Sequence, residues 1–347
     1  MNGYERIITT LQRKQPDRIP IMELSIHPKV IEGLSPGADL FQLADEMDLD
    51  AVCLEGGSFT ESYDRSEAFY VDEWGVRFGR TAESYHPIEG PIKSEADLDS
   101  YVPPDPNIDA LMEQLREAVQ RFKGKRFIAF LVRPDFMSAA IMRNFSQFLV
   151  DLIEDPQLAH RILKMVNDHH CTLARRAIEA GADGVVMGGD WAWNNGPFMS
   201  PIYFKEFVLP YFKRCIDVCH EAGGYTIKHS DGNLWAIMDM IAESGIDAIN
   251  PIQPDVSMDI GEVKQKYGDR LCLAGNINCG YTLSEAPVEE VVKEVKEAIR
   301  KAGPGGGYIM MSSNSLHSSV KPENYRAMVE TCQRYGEYPL DMGSLSS

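Results

Sequence analysis

Eight short β-rich runs recur along the chain with longer helical patterns between them, and this alternation leaves few folds open. The runs are 18–24 (RIPIMEL), 51–56 (AVCLEG), 127–133 (FIAFLVR), 184–190 (GVVMGGD), 225–229 (YTIKH), 248–252 (AINPI), 271–276 (LCLAGN) and 308–312 (YIMMS). Several are continuous apolar stretches rather than strict alternations, as in parallel strands covered on both faces. Between them, 156–180, 201–222, 234–244 and 288–302 carry apolar residues three and four apart with charges between, the pattern of amphipathic helices. The joints into strands four, five and six share one grammar, with Gly181, Gly223 and Gly245 just past a helix, where a left-handed C-cap suits glycine. Such a series predicts an α/β fold, a (β/α)8 TIM barrel forming one domain over 1–347, rather than an open doubly wound sheet. No G-x-G-x-x-G follows the first strand, which removes the dinucleotide-binding reading. Gly303-Pro304-Gly305-Gly306-Gly307 precedes a strand and not a helix, so it reads as a tight turn.

A long insertion, 58–125, separates strands two and three. It holds Glu73-Trp74-Gly75-Val76 and an acidic, proline-rich piece at 101–109. A βα connection of a barrel lies over the active-site mouth, so this insertion is expected to form a lid or small subdomain. An N-terminal helix over 3–13 is expected to cap the barrel base.

The formal net charge of −18 speaks against nucleic-acid binding, because an acidic field repels phosphate backbones. Seven cysteines without a C-x-x-C pair or a small disulfide framework fit a reducing compartment. The polar N-terminus lacks a secretory pattern, and no apolar run is long enough to span a bilayer. A soluble cytoplasmic protein is the expectation.

Barrel enzymes carry their chemistry on the C-terminal ends of the strands, where the βα loops converge. Here every predicted end is polar: Glu23, Glu55, Arg133-Pro134-Asp135, Asp190-Trp191-Ala192-Trp193, His229-Ser230-Asp231-Gly232-Asn233, Asn250 and Gln253, Asn276 through Cys279, and Ser312 through His317. His229 and Asp231 suit metal binding or acid/base work, and equally suit a strand cap followed by a turn. Asp190 with Trp191 and Trp193 suits a flat ligand, and equally aromatic packing beneath a loop. Cys279 reads as a thiolate ligand or a small buried residue. Cys215, Cys219 and His220, like His169 and His170, fall on helices that should cover the barrel exterior, and read as structural sets. No G-x-S-x-G elbow, H-E-x-x-H helix or P-loop is present.

Several segments carry a resemblance to the uroporphyrinogen decarboxylase superfamily. They are Glu5-Arg6 through Pro16-Asp17-Arg18-Ile19-Pro20, Gly189-Asp190, Met199-Ser200-Pro201, the His229 segment, Gly275-Asn276, and Ser319-Val320-Lys321-Pro322-Glu323-Asn324. The resemblance covers nearly the whole chain and implies a TIM barrel. It also implies one of two activities. Decarboxylation of a porphyrinogen needs no cofactor, but that branch carries an arginine-bearing stretch after the first strand. This chain has Met22-Glu23-Leu24-Ser25-Ile26-His27-Pro28 there, an electrostatic mismatch for a substrate with eight carboxylates.

The other branch moves methyl groups to corrinoid proteins, and many members hold zinc through an H-x-C segment plus a later cysteine. In this sequence His229 matches the histidine, Asp231 stands at the H-x-C cysteine, and Ser312, Ser313 and Asn314 occupy the later region. The resemblance therefore implies a methyltransferase-like enzyme acting on a small O- or N-methylated compound, such as an aryl methyl ether. Its implied catalytic residues are His229 and Asp231, with zinc as the candidate metal on His229, Asp231 and Cys279. Glu23 and Glu55 are further candidates for that metal. Glu23, Glu55, Asp190, Trp191, Trp193, Asn276, Asn314 and His317 would line the substrate site. The corrinoid would come on a partner protein, since no D-x-H-x-x-G segment occurs. A cofactor-free lyase and a non-catalytic ligand-binding barrel remain alternatives.

Overall fold

A computed structural model describes residues 1–55, 69–80 and 85–345. Seven parallel strands form one curled sheet, each paired with the next in chain order. They are β1 (Ala51–Glu55), β2 (Phe127–Val132), β3 (Gly184–Met187), β4 (Tyr225–His229), β5 (Ala248–Asn250), β6 (Cys272–Ile277) and β7 (Tyr308–Ser312). Helices surround the sheet, and the whole is a TIM-like barrel with the long insertion between β1 and β2.

The expected first strand, 18–24, is not a regular strand. Proline at position 20 has no N–H to give to a ladder, and the segment makes only scattered bonds to both edge strands. The Met22 N–H donates to Met310 O and the Met310 N–H to Pro20 O, while the Asp50 N–H donates to Ile21 O. The segment thus lies in the gap between β7 and β1 and completes the ring.

Side chains alternate across the sheet with the two-residue period of a strand. On β4, Ile227 joins an inner cluster with Ala129, Val186, Ala248, Cys272 and Ile309, which fills the barrel. Lys228 points the other way, into the layer beneath the helices, and is fully buried. The N-terminal helix (Gly3–Leu11) plugs the base: Ile7 and Leu11 belong to the same inner cluster, and Asn2 and Glu5 form a capping box at its start.

The outer layer is built from amphipathic helices such as Pro156–Glu179 and Val288–Ala302, whose apolar faces merge into one core with the outward side chains of the sheet. Burying a side chain the size of Leu or Phe there stabilises by about 1.5–3 kcal/mol. Cys215 and Cys219 lie in this layer on the helix Leu209–Glu221, fully buried. His220 beside them bonds instead to Asp247 at 2.8 Å, so the set is structural.

Within the insertion, Phe69–Val71, Arg77–Arg80 and Tyr85–Glu89 pair as a small antiparallel sheet. Trp74, between its first two strands, rests on His169 and His170 of the helix Pro156–Glu179, at ring-centre distances of 4.6 and 5.7 Å. That accounts for these two histidines as packing partners. Gly56 of the second expected strand, and 58–68 and 81–84 of the insertion, lie outside the described residues. No described helix is long and apolar enough to cross a membrane.

Candidate metal centre at the barrel mouth

The ends of the adjacent strands β3 and β4 bring Asp190, His229 and Asp231 together. Each offers one ligand atom, and these atoms lie within 4.8 Å of one another. His229 is held by Asn250, its register neighbour on β5, with 2.6 Å between Nδ1 and Oδ1. The amide orientation of Asn250 is set by its Nδ2, which donates to Ala274 O at 3.2 Å. An oxygen therefore faces the imidazole, so Nδ1 carries a proton, and in the neutral ring Nε2 is the nitrogen left to bind a metal. That Nε2 is 3.7 Å from Asp231 Oδ1.

Asp231 is tied down on one side only. Its Oδ2 accepts from Asn314 Nδ2, its backbone N–H donates to Asp190 Oδ1 at 2.9 Å, and its buried Oδ1 has no hydrogen-bond partner among the described residues. Loss of solvent pushes the Asp231 carboxyl up to about 6; the Asp190 charge adds to this, while His229 and the Asn314 bond oppose it. A buried carboxylate oxygen without a donor, beside an imidazole nitrogen and a second carboxylate, is the arrangement a divalent cation would satisfy. One nitrogen and two oxygens suit zinc as three protein ligands with a position left open.

Two turns meet under this cluster. Gly232 has φ +89°, and a Cβ there would come within 2.5 Å of the Ala192 carbonyl carbon. Glycine lets the 230–233 turn lie against the 191–193 turn, where the Asn233 N–H donates to Trp193 O at 2.9 Å.

Other expected site residues fall in different places. Cys279, expected as a metal ligand, is not among the clustered donors. Its thiol turns to the Asn314 and Ser315 carbonyls at 3.4 and 3.9 Å, and burial, with the Glu23 carboxyl adding, pushes it up to about 12. Trp191, expected to offer an indole face, is fully buried against Phe204 and Phe212, its Nε1 donating to Asp135 Oδ1 at 3.1 Å. Trp193 is 63% exposed. Glu55 stands 3.6 Å from the Arg133 guanidinium. Asn276 is buried, donating to Ile252 O at 3.1 Å. His317 meets Ser284 Oγ, on the connection after β6, at 3.5 Å, and the Ser319 N–H of its own loop at 3.4 Å.

Glu23 is buried at the seam between β7 and β1. The Ser312 N–H donates to Glu23 Oε1 at 3.2 Å, and the Ser312 hydroxyl lies against Oε2. That hydroxyl also sits 2.6 Å from Asn314 O, which can only accept. With one proton on the hydroxyl, the second bond requires a proton from Glu23. The same conclusion follows from burial, which lifts this carboxyl to about 8. Asn314 joins the two parts of the mouth, since its backbone oxygen meets Ser312 and its side chain holds Asp231.

Asp190, which the sequence reading gives to the substrate wall, stands in the structure beside His229 and Asp231. Lys228 belongs to the segment on which the sequence reading centres the mouth, but that reading gives it no role. The signal for Asp190 was present, because it and His229 end neighbouring strands.

A family model described as uroporphyrinogen decarboxylase matches residues 72–335. Among curated relatives, the uroporphyrinogen decarboxylase of Vibrio cholerae is 26% identical over 271 residues, covering 74% of this chain and 72% of that one. The enzyme of the same name from Colwellia psychrerythraea is 26% identical over 261 residues, covering 71% and 70%. Among solved structures, a methyltransferase from Methanosarcina mazei superposes with a TM-score of 0.75 at 17% identity, covering 96% of this chain and 99% of that one. A B12-independent methionine synthase from Shewanella follows with a TM-score of 0.54 at 10% identity, over 91% and 96%. At such identities the two structures speak for the shared barrel. The family match spans most of the sequence, including every strand from β2 to β7: the chain belongs to the uroporphyrinogen decarboxylase family.

Proposed function

We propose that this protein is a methyltransferase-like enzyme, moving a methyl group from a small O- or N-methylated compound, an aryl methyl ether among them, to a corrinoid held by a partner protein. The observation that carries this reading is the cluster of Asp190, His229 and Asp231 with its unpartnered carboxylate oxygen. These three residues would hold zinc, which supplies a Lewis acid able to draw charge from a leaving oxygen or nitrogen. When the methyl carbon departs without its bonding electron pair, that pair stays on the oxygen or nitrogen, and the mouth must accommodate the resulting charge.

The chain's own groups are arranged for this. Asn250 fixes the imidazole so that Nε2 faces the cluster, and Asn314 fixes one oxygen of Asp231 while leaving the other free. Glu23, neutral at its depth, adds no repulsion. The mouth is poorly suited to a porphyrinogen with many carboxylates: 22–28 brings no arginine, and Arg133 at the end of β2 is faced by Glu55. Glu55, Trp193, Asn276 and His317 are proposed for the remaining wall.

The test is to replace His229 and Asp231 by alanine and measure zinc content together with methyl transfer to a corrinoid acceptor. Zinc should fall from stoichiometric to near zero, and the rate by at least about 100-fold. Unchanged metal and unchanged rate would remove the assignment. A second reading, a cofactor-free carboxy-lyase, is favoured by the name the curated relatives carry. It requires turnover of a carboxylated substrate with neither corrinoid nor metal, and a chelated preparation tested with a porphyrinogen distinguishes the two.

A further inference from the structure

Lys228 is the one fully buried lysine among the described residues, and it sits one residue before His229 without entering the cluster. Its outward place on β4 puts the ammonium behind the mouth, beneath the loop that follows β3. There Nζ donates to Gly189 O at 2.7 Å, lies 3.5 Å from Asp135 Oδ2, and stands 3.7 Å from the centre of the Trp191 ring. Asp135 uses its other oxygen to accept from Trp191 Nε1 at 3.1 Å. The Trp191 N–H donates to Ser230 Oγ at 3.0 Å. The two neighbours of Asp190 are therefore each bound to β4 or its continuation, Gly189 through Lys228 and Trp191 through Ser230.

Gly189 has φ +99°, a conformation open to glycine, so its own side chain cannot brace the turn. A buried charge pair is a costly way to fill space beneath a helix layer, and apolar residues of like volume do so as well or better. Its geometry accounts for its presence in another way. The ammonium is the donor that reaches the Gly189 carbonyl, and a flexible four-carbon stem from β4 spans the distance.

We infer that Lys228 is a positioning residue that acts through Asp190, fixing the 188–191 turn so that this carboxylate reaches the donor set of His229 and Asp231. The inference rests on the metal reading of the site. Removing the ammonium frees the Gly189 carbonyl and lets the turn relax, so Asp190 no longer contributes its full share as a ligand.

A double-mutant cycle in zinc affinity tests this. Because Lys228→Met alone strands a buried carboxylate, the informative variant is Lys228→Met with Asp135→Asn, which keeps an oxygen for the Trp191 indole. Zinc affinity would be measured by chelator competition on the whole protein, beside Asp190→Ala and the combination of all three substitutions. Circular dichroism would check that each variant is folded. The expected result is a loss of tenfold or more in the paired variant, a larger loss in Asp190→Ala, and no further loss when they are combined. An unchanged affinity in the paired variant, or losses that simply multiply, would overturn the role of Lys228 while leaving the metal site standing. Failure of the unaltered protein to take up zinc would instead overturn the metal site, and the positioning role with it.

Discussion

Glu23 shows how strongly one carboxyl can feel its surroundings. Burial lifts it from an ordinary 4.5 to about 8, so the folded chain keeps a proton that the unfolded chain releases. The folded state binds more protons across that window. Stability is therefore greatest below the ordinary carboxyl value and falls as pH rises towards 8, by about 1.4 kcal/mol per pH unit for this group alone. Asp231, lifted to about 6, acts in the same direction over a lower range. Glu23→Gln keeps an acceptor for the Ser312 N–H and a donor for its hydroxyl while removing the titration. The variant should lose most of the decline in melting temperature between about pH 6 and pH 8, read by calorimetry. Parallel curves for the two proteins would mean that Glu23 is ionised in its site. At this scale the sequence put His229 and Asp231 at the end of a strand, and the structure brings them together with Asp190. It could not tell that Trp191 turns inward and Trp193 outward, because a loop after a strand has no fixed period to read.

Among the elements, the start of β1 is tied into the seam by the buried carboxylate of Asp50. Asp50 has no exposed surface and accepts from Arg6 Nη1 at 3.0 Å, Arg18 Nη1 at 2.8 Å and the Ile21 N–H at 2.8 Å. It thereby ties the N-terminal helix, the 18–24 segment and β1 to one point. Asp50→Ala would leave the buried Arg18 guanidinium with only the exposed Asp48 as an ionic partner. A cost of about 3–5 kcal/mol is expected, measured by urea unfolding. A loss within the range of ordinary surface substitutions would show that the seam is held by apolar packing alone. The elements themselves were largely legible: 225–229, 308–312 and 288–302 match the observed strands and helix residue for residue, because each is long or strongly patterned. The run 18–24 reads as a strand but pairs irregularly, because Pro20 has no N–H to give to a ladder. The short helical stretch at 234–244 is split into two pieces, Trp235–Ile237 and Met238–Ala242, a detail that periodicity does not resolve.

For the whole molecule, the consequence lies in where the ring is joined. β3 and β4, which carry Asp190 and His229, sit midway along the sheet, far around the ring from the joint. Glu23 belongs to the joint itself. Opening of the barrel should begin where regular pairing gives out, so the amides of Met22, Asp50 and Met310 should exchange with deuterium sooner than those of Ile227 and Lys228 on β4. Equal protection throughout would mean that the barrel opens only by global unfolding. If the joint does breathe, Glu23 reaches water and trades its proton during those brief openings, while the donors on β3 and β4 keep their places. The molecule would then take up and release a proton on the clock of its own backbone.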